Sequence, residues 1–251
     1  MVQAPQGPRA RYREQTRTEI KDAALRQLAD GGVGALALTR IAKEMGLSGP
    51  ALYRYFASRD DLLNALIRDA YDDAATAVGA AAVAGTPPKA PRQRLHVLAR
   101  AYRAWALAQP HRYLLIQGTP VPGYVAPGDT LDRARAVLGP FLPVFAGAAP
   151  GASVLPVVRQ TTDWARSDEA VAGWVAEYVQ EAEAGQAGAG ESGAGQAGIA
   201  GQALAGAVLA WAQLHGTVSL EVAGQFAGMG NDGATLLTAQ INTLADAFSL
   251  E

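Results

Sequence analysis

The sequence contains no cysteine and only three histidines among its 251 residues. The lack of cysteine excludes disulfides, thiolate zinc sites, iron–sulfur clusters and cysteine nucleophiles. His96, His111 and His215 are far apart and form no metal-binding motif such as His-Glu-x-x-His. No pair of carboxylates with a histidine partner indicates acid–base catalysis, and no serine lies in a nucleophile elbow. We therefore expect no metal, no cofactor and no catalytic residues.

Long apolar runs are also missing. No stretch of about 18 residues is free of both charges and helix breakers, so we expect no membrane span. The first ten residues lack the apolar segment of a secretory signal. These two absences favour a cytoplasmic protein without membrane contact.

The charges are distributed unevenly, although the net charge is only −2. Residues 1–60 carry ten Lys or Arg and six Asp or Glu, a net charge of +4; residues 61–251 carry eleven and seventeen, a net charge of −6. A basic N-terminal segment on an acidic body indicates a module that binds a polyanion.

Apolar residues recur at helical spacing along most of the chain, and no strand-like alternation persists. The sequence predicts an all-α protein with an N-terminal three-helix domain and a C-terminal helical domain of about nine helices. A bend is expected at Gly139-Pro140. The predicted boundaries are a disordered tail over 1–10, the helix-turn-helix domain over 11–57, the C-terminal domain over 58–251 and a flexible Gly/Ala insert over 184–201.

Residues 38–56 carry the most specific pattern. A short helix is followed by Gly46, then by Ser48 as a helix N-cap with Pro50 in the first turn, and then by a second short helix. This arrangement is a helix-turn-helix. Because an exposed α-helix fits the major groove of DNA, the segment predicts contact with a duplex.

The candidate DNA-binding residues are polar side chains and helix N-termini in and next to this segment. Arg54 can donate to a guanine edge or a phosphate, and Arg59 lies where a helix dipole disfavours a cation, which suits a docked phosphate. The alternative to DNA contact is a plain solvent-exposed helix face. For two of the nine candidates, ordinary helix capping and surface charge are competing explanations. The nine are Thr39, Arg40, Ser48, Gly49, Pro50, Tyr53, Arg54, Tyr55 and Arg59, with Thr39 and Arg40 the two in question.

The run from Leu38 to Leu63 resembles the DNA-binding region of the TetR family of transcriptional regulators, and the resemblance covers about residues 11–84. Arg59 stands where that family usually has lysine, and either cation can hold a phosphate. The resemblance implies an all-helical homodimer that binds double-stranded DNA at a palindromic operator. It also implies a small-molecule effector that relieves repression, and a dimer interface formed by the last two helices.

A weaker resemblance to the subgroup named for a Trp-His-Gly signature lies in residues 109–113, 120–124 and 211–216. It implies an effector pocket in the C-terminal domain. Aromatic residues on the middle helices are candidates to line it, although core packing competes for each one, and His215 is interpreted as a structural or interface histidine. The candidates are Trp105, Tyr113, Tyr124, Trp164, Trp174 and Tyr178.

The last two predicted helices carry apolar seams suited to self-pairing. The residues expected at the dimer interface are Leu204, Val208, Trp211, His215, Leu237, Ile241, Leu244 and Phe248.

The function favoured by the sequence is sequence-specific transcriptional regulation, with repression released by a small apolar ligand. One alternative is a helical small-molecule-binding or enzymatic protein whose N-terminal head makes protein contacts. A further variant is an activator, or a regulator without a ligand.

Overall fold

A computed structural model describes residues 7–85, 90–117, 127–184, 193–230 and 232–251. Within these ranges the regular structure is helical throughout, which confirms the all-α prediction. Short 3-10 turns occur at Val33–Ala35 and Gly139–Phe141, and the second of them lies at the position of the predicted bend. The α-helices are α1 Pro8–Gly31, α2 Leu38–Glu44, α3 Gly49–Tyr53, α4 Arg59–Val83, α5 Pro91–Ala108, α6 Pro110–Ile116, α7 Thr130–Leu138, α8 Leu142–Phe145, α9 Leu155–Ser167, α10 Glu169–Ala184, α11 Gly193–Val222 and α12 Gly233–Ala247.

The chain forms two compact units. The first contains Met1–Ala70 and His111–Gly128, and the second contains Tyr71–Pro110 and Asp129–Glu251. This division differs from the boundary predicted at residues 57 and 58, because the first part of α4 belongs with α1 to α3. Lys21 on α1 forms an ion pair with Asp69 on α4 at 2.8 Å, within the first unit.

The core of the first unit comes from the helices that the sequence predicted there. α1 packs against α2, and α2 against α3. α4 begins with a reciprocal cap: the backbone N–H of Asp61 donates to Ser58 Oγ at 3.0 Å, and the Asp61 carboxylate accepts the N–H of Ala57 at 2.9 Å. One of the first-turn N–H groups and the N–H of the residue before the N-cap are thereby satisfied.

In the second unit α11 is the central helix, and it packs against α5, α8, α9 and α12. Glycines permit its close approach to neighbouring helices. A Cβ on Gly201 would lie 1.9 Å from Thr162 Oγ1 on α9, and one on Gly206 would lie 2.1 Å from Phe145 Cγ on α8. The carbonyl of Gly201 accepts a hydrogen bond from Thr161 Oγ1 at 2.6 Å.

Two predicted irregular segments are partly helical. The tail expected over 1–10 is helical from Pro8, since proline is compatible with the first turn of a helix; residues 1–6 lie outside the described residues. The flexible insert expected over 184–201 is wrong over 193–201, because these residues belong to α11. Their small side chains allow close helix packing. Residues 185–192 lie outside the described ranges.

One described helix segment, Gly195–Val222, is long and apolar enough to cross a membrane by length and composition. The sequence analysis, which predicted no membrane span, did not single out this segment. Its contacts with neighbouring helices of the second unit account for this composition, because a central core helix needs the same apolar side chains as a bilayer span.

Candidate nucleic-acid interface

A glycine turn sets the geometry of the helix pair α2–α3. Gly46 has φ +65°, a conformation that side-chain-bearing residues rarely adopt, and the next backbone N–H, that of Leu47, donates to the carbonyl of Ala42 at 2.8 Å. Ser48 then caps α3 by accepting the N–H of Ala51 at 3.3 Å. The predicted helix, turn and N-cap are therefore all present.

The two helices separate their apolar and polar side chains. Ile41, Leu52 and Phe56 are buried. Tyr53 is 51% exposed, and Arg54 beside it is exposed as well. Buried apolar residues thus hold α3 in place while its polar residues remain open to a partner.

The remaining predicted DNA-binding residues have mixed exposure. Thr39, Arg40, Ser48 and Pro50 are exposed, and Gly49 and Tyr55 are half-buried, which leaves these side chains and the start of α3 accessible to solvent.

The Arg59 side chain does not make the contact that its sequence position predicted. Its Nη2 donates to the carbonyl of Val33 at 2.6 Å, and its Nε donates to the carbonyl of Leu36 at 3.2 Å. Asp60 is a further, more distant partner of the guanidinium. The phosphate-binding role expected of Arg59 does not fit this geometry, because the guanidinium binds carbonyls at the 3-10 turn before α2.

A row of arginines on α1 was missed by the sequence reasoning. Arg9, Arg13 and Arg17 follow one another at intervals of four residues, so they lie along one side of the helix. Arg9 and Arg13 are exposed, and the half-buried Arg17 is bonded to the end of α3 through the Tyr55 carbonyl, at 3.0 Å. The four-residue spacing was the available signal. It places the exposed cations Arg9 and Arg13 on α1, the helix whose Arg17 is hydrogen-bonded to the end of α3.

The aromatic residues expected to line an effector pocket do not form one group. Trp174 and Tyr178 line a cavity of about 410 Å³ between α7 and α10. Trp105 and Tyr113 are buried as core residues, and Trp164 is 41% exposed. Tyr124 lies outside the described residues. Trp174 and Tyr178 therefore share one cavity, and the role of the aromatic residues in effector binding stays a prediction.

The expected dimer interface is wrong for five of its eight residues. These five are at most 3% exposed within the single chain, because α11 and α12 turn their apolar seams toward each other and toward α5 and α8. Val208 remains 37% exposed, and Trp211 and His215 are half-buried. The five residues are Leu204, Leu237, Ile241, Leu244 and Phe248.

His215 lies in an aromatic cluster of the second unit. Its ring contacts Trp211 edge to face, with centroids 4.2 Å apart, and its Nε2 lies 3.3 Å from the hydroxyl of Tyr102. Burial lowers the pKa of His215 to about 4, because the charged imidazolium would lose its hydration. The ring is neutral at physiological pH and serves as a packing residue.

Comparison with known families gives two matches. The family of bacterial regulatory proteins called tetR matches residues 20–66, which contain α2 and α3. A C-terminal domain described as tetracyclin repressor-like matches residues 95–244, more than half of the chain.

Individual relatives agree with these matches. The chain is 42% identical over 147 residues to the HTH-type transcriptional regulator Rv1816 of Mycobacterium tuberculosis, and this alignment covers 58% of the chain and 62% of that relative. The chain thus spans about three fifths of the length of the curated relatives that it matches. The regulator Mb1846 of Mycobacterium bovis aligns with the same identity and coverage.

Solved structures extend the likeness over nearly the whole chain. The regulatory protein SCO4313 is 41% identical, with a TM-score of 0.72 over 96% of this chain and 100% of that one. FadR from Bacillus subtilis, solved with stearoyl-CoA, is 13% identical, with a TM-score of 0.51 over 92% and 98% of the two chains, and shares the fold.

Proposed function

Because the chain belongs to the TetR family of bacterial regulatory proteins, we propose that it is a cytoplasmic, sequence-specific DNA-binding transcriptional regulator that acts as a repressor. The observation that carries this proposal is the helix-turn-helix over α2 and α3, in which a buried apolar face supports the exposed side chains of Tyr53 and Arg54. The charge distribution supports it further, because the excess of cations lies in the first 60 residues.

In this proposal α3 enters the major groove. Arg54 presents two parallel donors to a guanine edge, and Tyr53 contacts a base edge or a phosphate through its hydroxyl. Thr39, Arg40, Ser48 and Tyr55 contact phosphates and fix the register, and Gly49 and Pro50 bring the start of α3 close to the backbone. Arg9 and Arg13 add phosphate contacts from α1.

We also propose that the protein is a homodimer. Val208, Ala212, Gly216 and Leu220 are exposed at intervals of four residues, so they form one stripe along α11, the α11 stripe. This apolar stripe replaces the buried seam residues as the self-pairing surface. A two-fold dimer would present its two α3 helices to half-sites about 34–36 Å apart on a palindromic operator.

A small-molecule effector bound in the second unit would release the operator, as the TetR-family resemblance implies. If the effector favours a dimer that fits the operator less well, linkage requires that it weaken DNA binding by the same coupling free energy, typically about 1–3 kcal/mol.

DNA binding is tested by selecting an operator from random duplexes with the full chain and measuring affinity at several salt concentrations. Arg54→Ala and Tyr53→Ala should each weaken operator binding about tenfold. Arg166→Ala, which removes an exposed cation on α9, is the matched control and should bind as the parent does. Failure to enrich any sequence would favour a protein-contact role for the head.

Dimerisation is tested by light scattering on a sizing column. Val208→Lys puts a charge on the α11 stripe and should yield monomers, because an unpaired charge in an interface is unfavourable. Gln180→Lys, at an exposed position on α10, should leave the dimer intact. A parent protein that elutes as a monomer at micromolar concentration would contradict the proposal.

A further inference from the structure

Arg59 binds the segment that connects α1 to α2, residues 32–37, which we call the α1–α2 turn. Its Nη2 donates to the carbonyl of Val33 at 2.6 Å, and its Nε donates to the carbonyl of Leu36 at 3.2 Å. These two donors lie on one edge of the planar guanidinium, so they bind two acceptors in a fixed geometry. Arg59 thereby joins the start of α4 to the backbone that leads into α2.

A second side chain holds the same turn from α1. Gln27 is 4% exposed, and its Oε1 accepts the backbone N–H of Ala37 at 2.9 Å. Ala37 is the N-cap residue of α2, and its methyl group cannot cap the helix. The backbone at the start of α2 is therefore fixed from two sides, by Gln27 on α1 and by Arg59 on α4, all within the first unit.

These contacts explain how a cation is tolerated at the start of α4. Arg59 is the first residue of that helix, where the helix dipole favours anions. The two carbonyl oxygens of the α1–α2 turn carry partial negative charge, and Asp60 Oδ1 lies 3.4 Å from Nη1. With these three oxygens around it, the guanidinium is stabilised without a phosphate.

The α1–α2 turn precedes two of the candidate DNA-binding residues. Thr39 and Arg40 are the second and third residues of α2, and both are exposed. Because α2 is only seven residues long, a shift of its first turn displaces both side chains together. Their hydrogen bonds to DNA would weaken as a result, because such bonds depend steeply on distance and angle.

We propose that Arg59 is a positioning residue for operator binding: together with Gln27 it fixes the α1–α2 turn, and so it sets where Thr39 and Arg40 meet the DNA. The inference rests on the proposed function and deepens it at the same interface. It differs from a phosphate contact in one measurable respect, since the two-donor geometry of the guanidinium is required and its positive charge alone is not sufficient.

The first measurement is hydrogen exchange in the full-length protein without DNA. Arg59→Lys, and separately Gln27→Met, should speed exchange of the amides of residues 35–37 by about threefold or more, because the turn opens more often. Arg100→Lys, at an exposed arginine on α5, is the matched control and should leave these rates as they are. Unchanged rates in either turn variant would overturn the shared role of the two side chains.

Operator affinity separates positioning from a phosphate contact. Arg59→Lys keeps the positive charge, but an ammonium does not reproduce the planar fork. Affinity should fall about three- to tenfold, measured at a temperature where the variant is fully folded by circular dichroism. Arg100→Lys should bind the operator as the parent does. If Arg59→Lys also binds as the parent does, charge alone is sufficient and the proposal is wrong.

A double-mutant cycle identifies the residues through which Arg59 acts. Thr39 and Arg40 are both replaced by alanine, in the parent and in Arg59→Lys. If Arg59 acts through α2, its replacement should change affinity by less than about twofold once these two side chains are gone. Losses that simply add would mean that Arg59 contacts DNA itself, which would overturn the proposal.

The exchange and affinity measurements separate this inference from the proposed function. If the full chain enriches no operator, the proposed function fails, and with it the DNA-binding part of this inference; the exchange rates still decide whether Arg59 holds the turn. If Arg54→Ala weakens an operator that Arg59→Lys binds normally, the proposed function stands and the positioning role of Arg59 is wrong.

Discussion

Arg17 on α1 joins the end of α3 through the backbone of Tyr55, with its Nη1 donating to the carbonyl oxygen at 3.0 Å. The same guanidinium lies 4.3 Å from the centre of the Phe56 ring. One side chain thereby fixes the position of α3 relative to α1, although it lies outside the helix-turn-helix in sequence. This contact matters for the position of α3 because the helix is only five residues long.

Replacing Arg17 by alanine should therefore lower both stability and operator affinity. Loss of the hydrogen bond and of the cation–π contact should reduce the free energy of unfolding by about 1–2 kcal/mol, as measured by urea denaturation. Arg26→Ala removes an ion pair with Glu44 that is largely exposed, and should change stability by less than about 0.5 kcal/mol. Equal effects of the two substitutions would refute a special role for Arg17.

The arginine row on α1 should contribute to the salt dependence of DNA binding. If Arg9 and Arg13 each neutralise a phosphate, their joint replacement by alanine should make the slope of log K against log salt shallower by about 2. The loss should be similar for operator and random DNA, because phosphate contacts carry no sequence information. Arg159→Ala, at an exposed site on α9, should leave the slope as it is; an unchanged slope in the α1 double variant would place that helix end away from DNA.

Gly206 should not tolerate alanine. An added Cβ would lie 2.1 Å from Cγ of the fully buried Phe145, so α11 and α8 would have to separate. We expect thermal or chemical denaturation to show a loss of about 1–3 kcal/mol, the usual range for overpacking. Gly173→Ala on α10 is the matched control: nothing lies within 4 Å of its added Cβ, and the better helix propensity should stabilise the protein by about 0.5–1 kcal/mol.

His215 should make stability depend on pH. Burial lowers its pKa in the folded chain to about 4 from the ordinary value of 6.5, so between these two values the unfolded chain binds a proton that the folded chain does not. The free energy of unfolding should therefore fall as the pH drops from 6.5 toward 4, by up to about 3 kcal/mol from this residue.

The contribution is isolated by comparing His215→Gln with the parent across this pH window. The variant should show a flatter fall in unfolding free energy, because its side chain does not titrate. His111→Gln, at an exposed histidine, should retain the parent's slope. If His215→Gln keeps the full slope, acid destabilisation must originate at other groups.

The helix-turn-helix over α2 and α3 was largely predictable from the sequence. Gly46, Ser48 and Pro50 act on the backbone within a few residues of themselves, so the turn, the cap and the start of α3 follow from local rules. Ser58 and Asp61 cap the start of α4 by the same kind of short-range contact, with one hydrogen bond accepted by each side chain.

The positions of the site residues depended on contacts between distant segments. The sequence position of Arg59 suggested a cation open to a phosphate, yet its guanidinium donates hydrogen bonds to the carbonyls of Val33 and Leu36. Likewise nothing local brings Arg135 to Trp174, because their contact forms only when α7 packs near α10.

The amino-acid order by itself determined the helical class, the helix-turn-helix and its exposed Tyr53 and Arg54, because capping, glycine turns and apolar spacing are short-range effects. Only the tertiary structure decided which apolar seams belong to the core. Ile241 and Leu244 are buried within the chain, and Val208 is exposed. The packing of neighbouring helices, and not the apolar periodicity alone, determines which face of a helix is covered. The Gly/Ala residues of 193–201 became helix for the same reason: glycine is a poor helix former alone, but it lets α11 approach α9 closely enough to compensate.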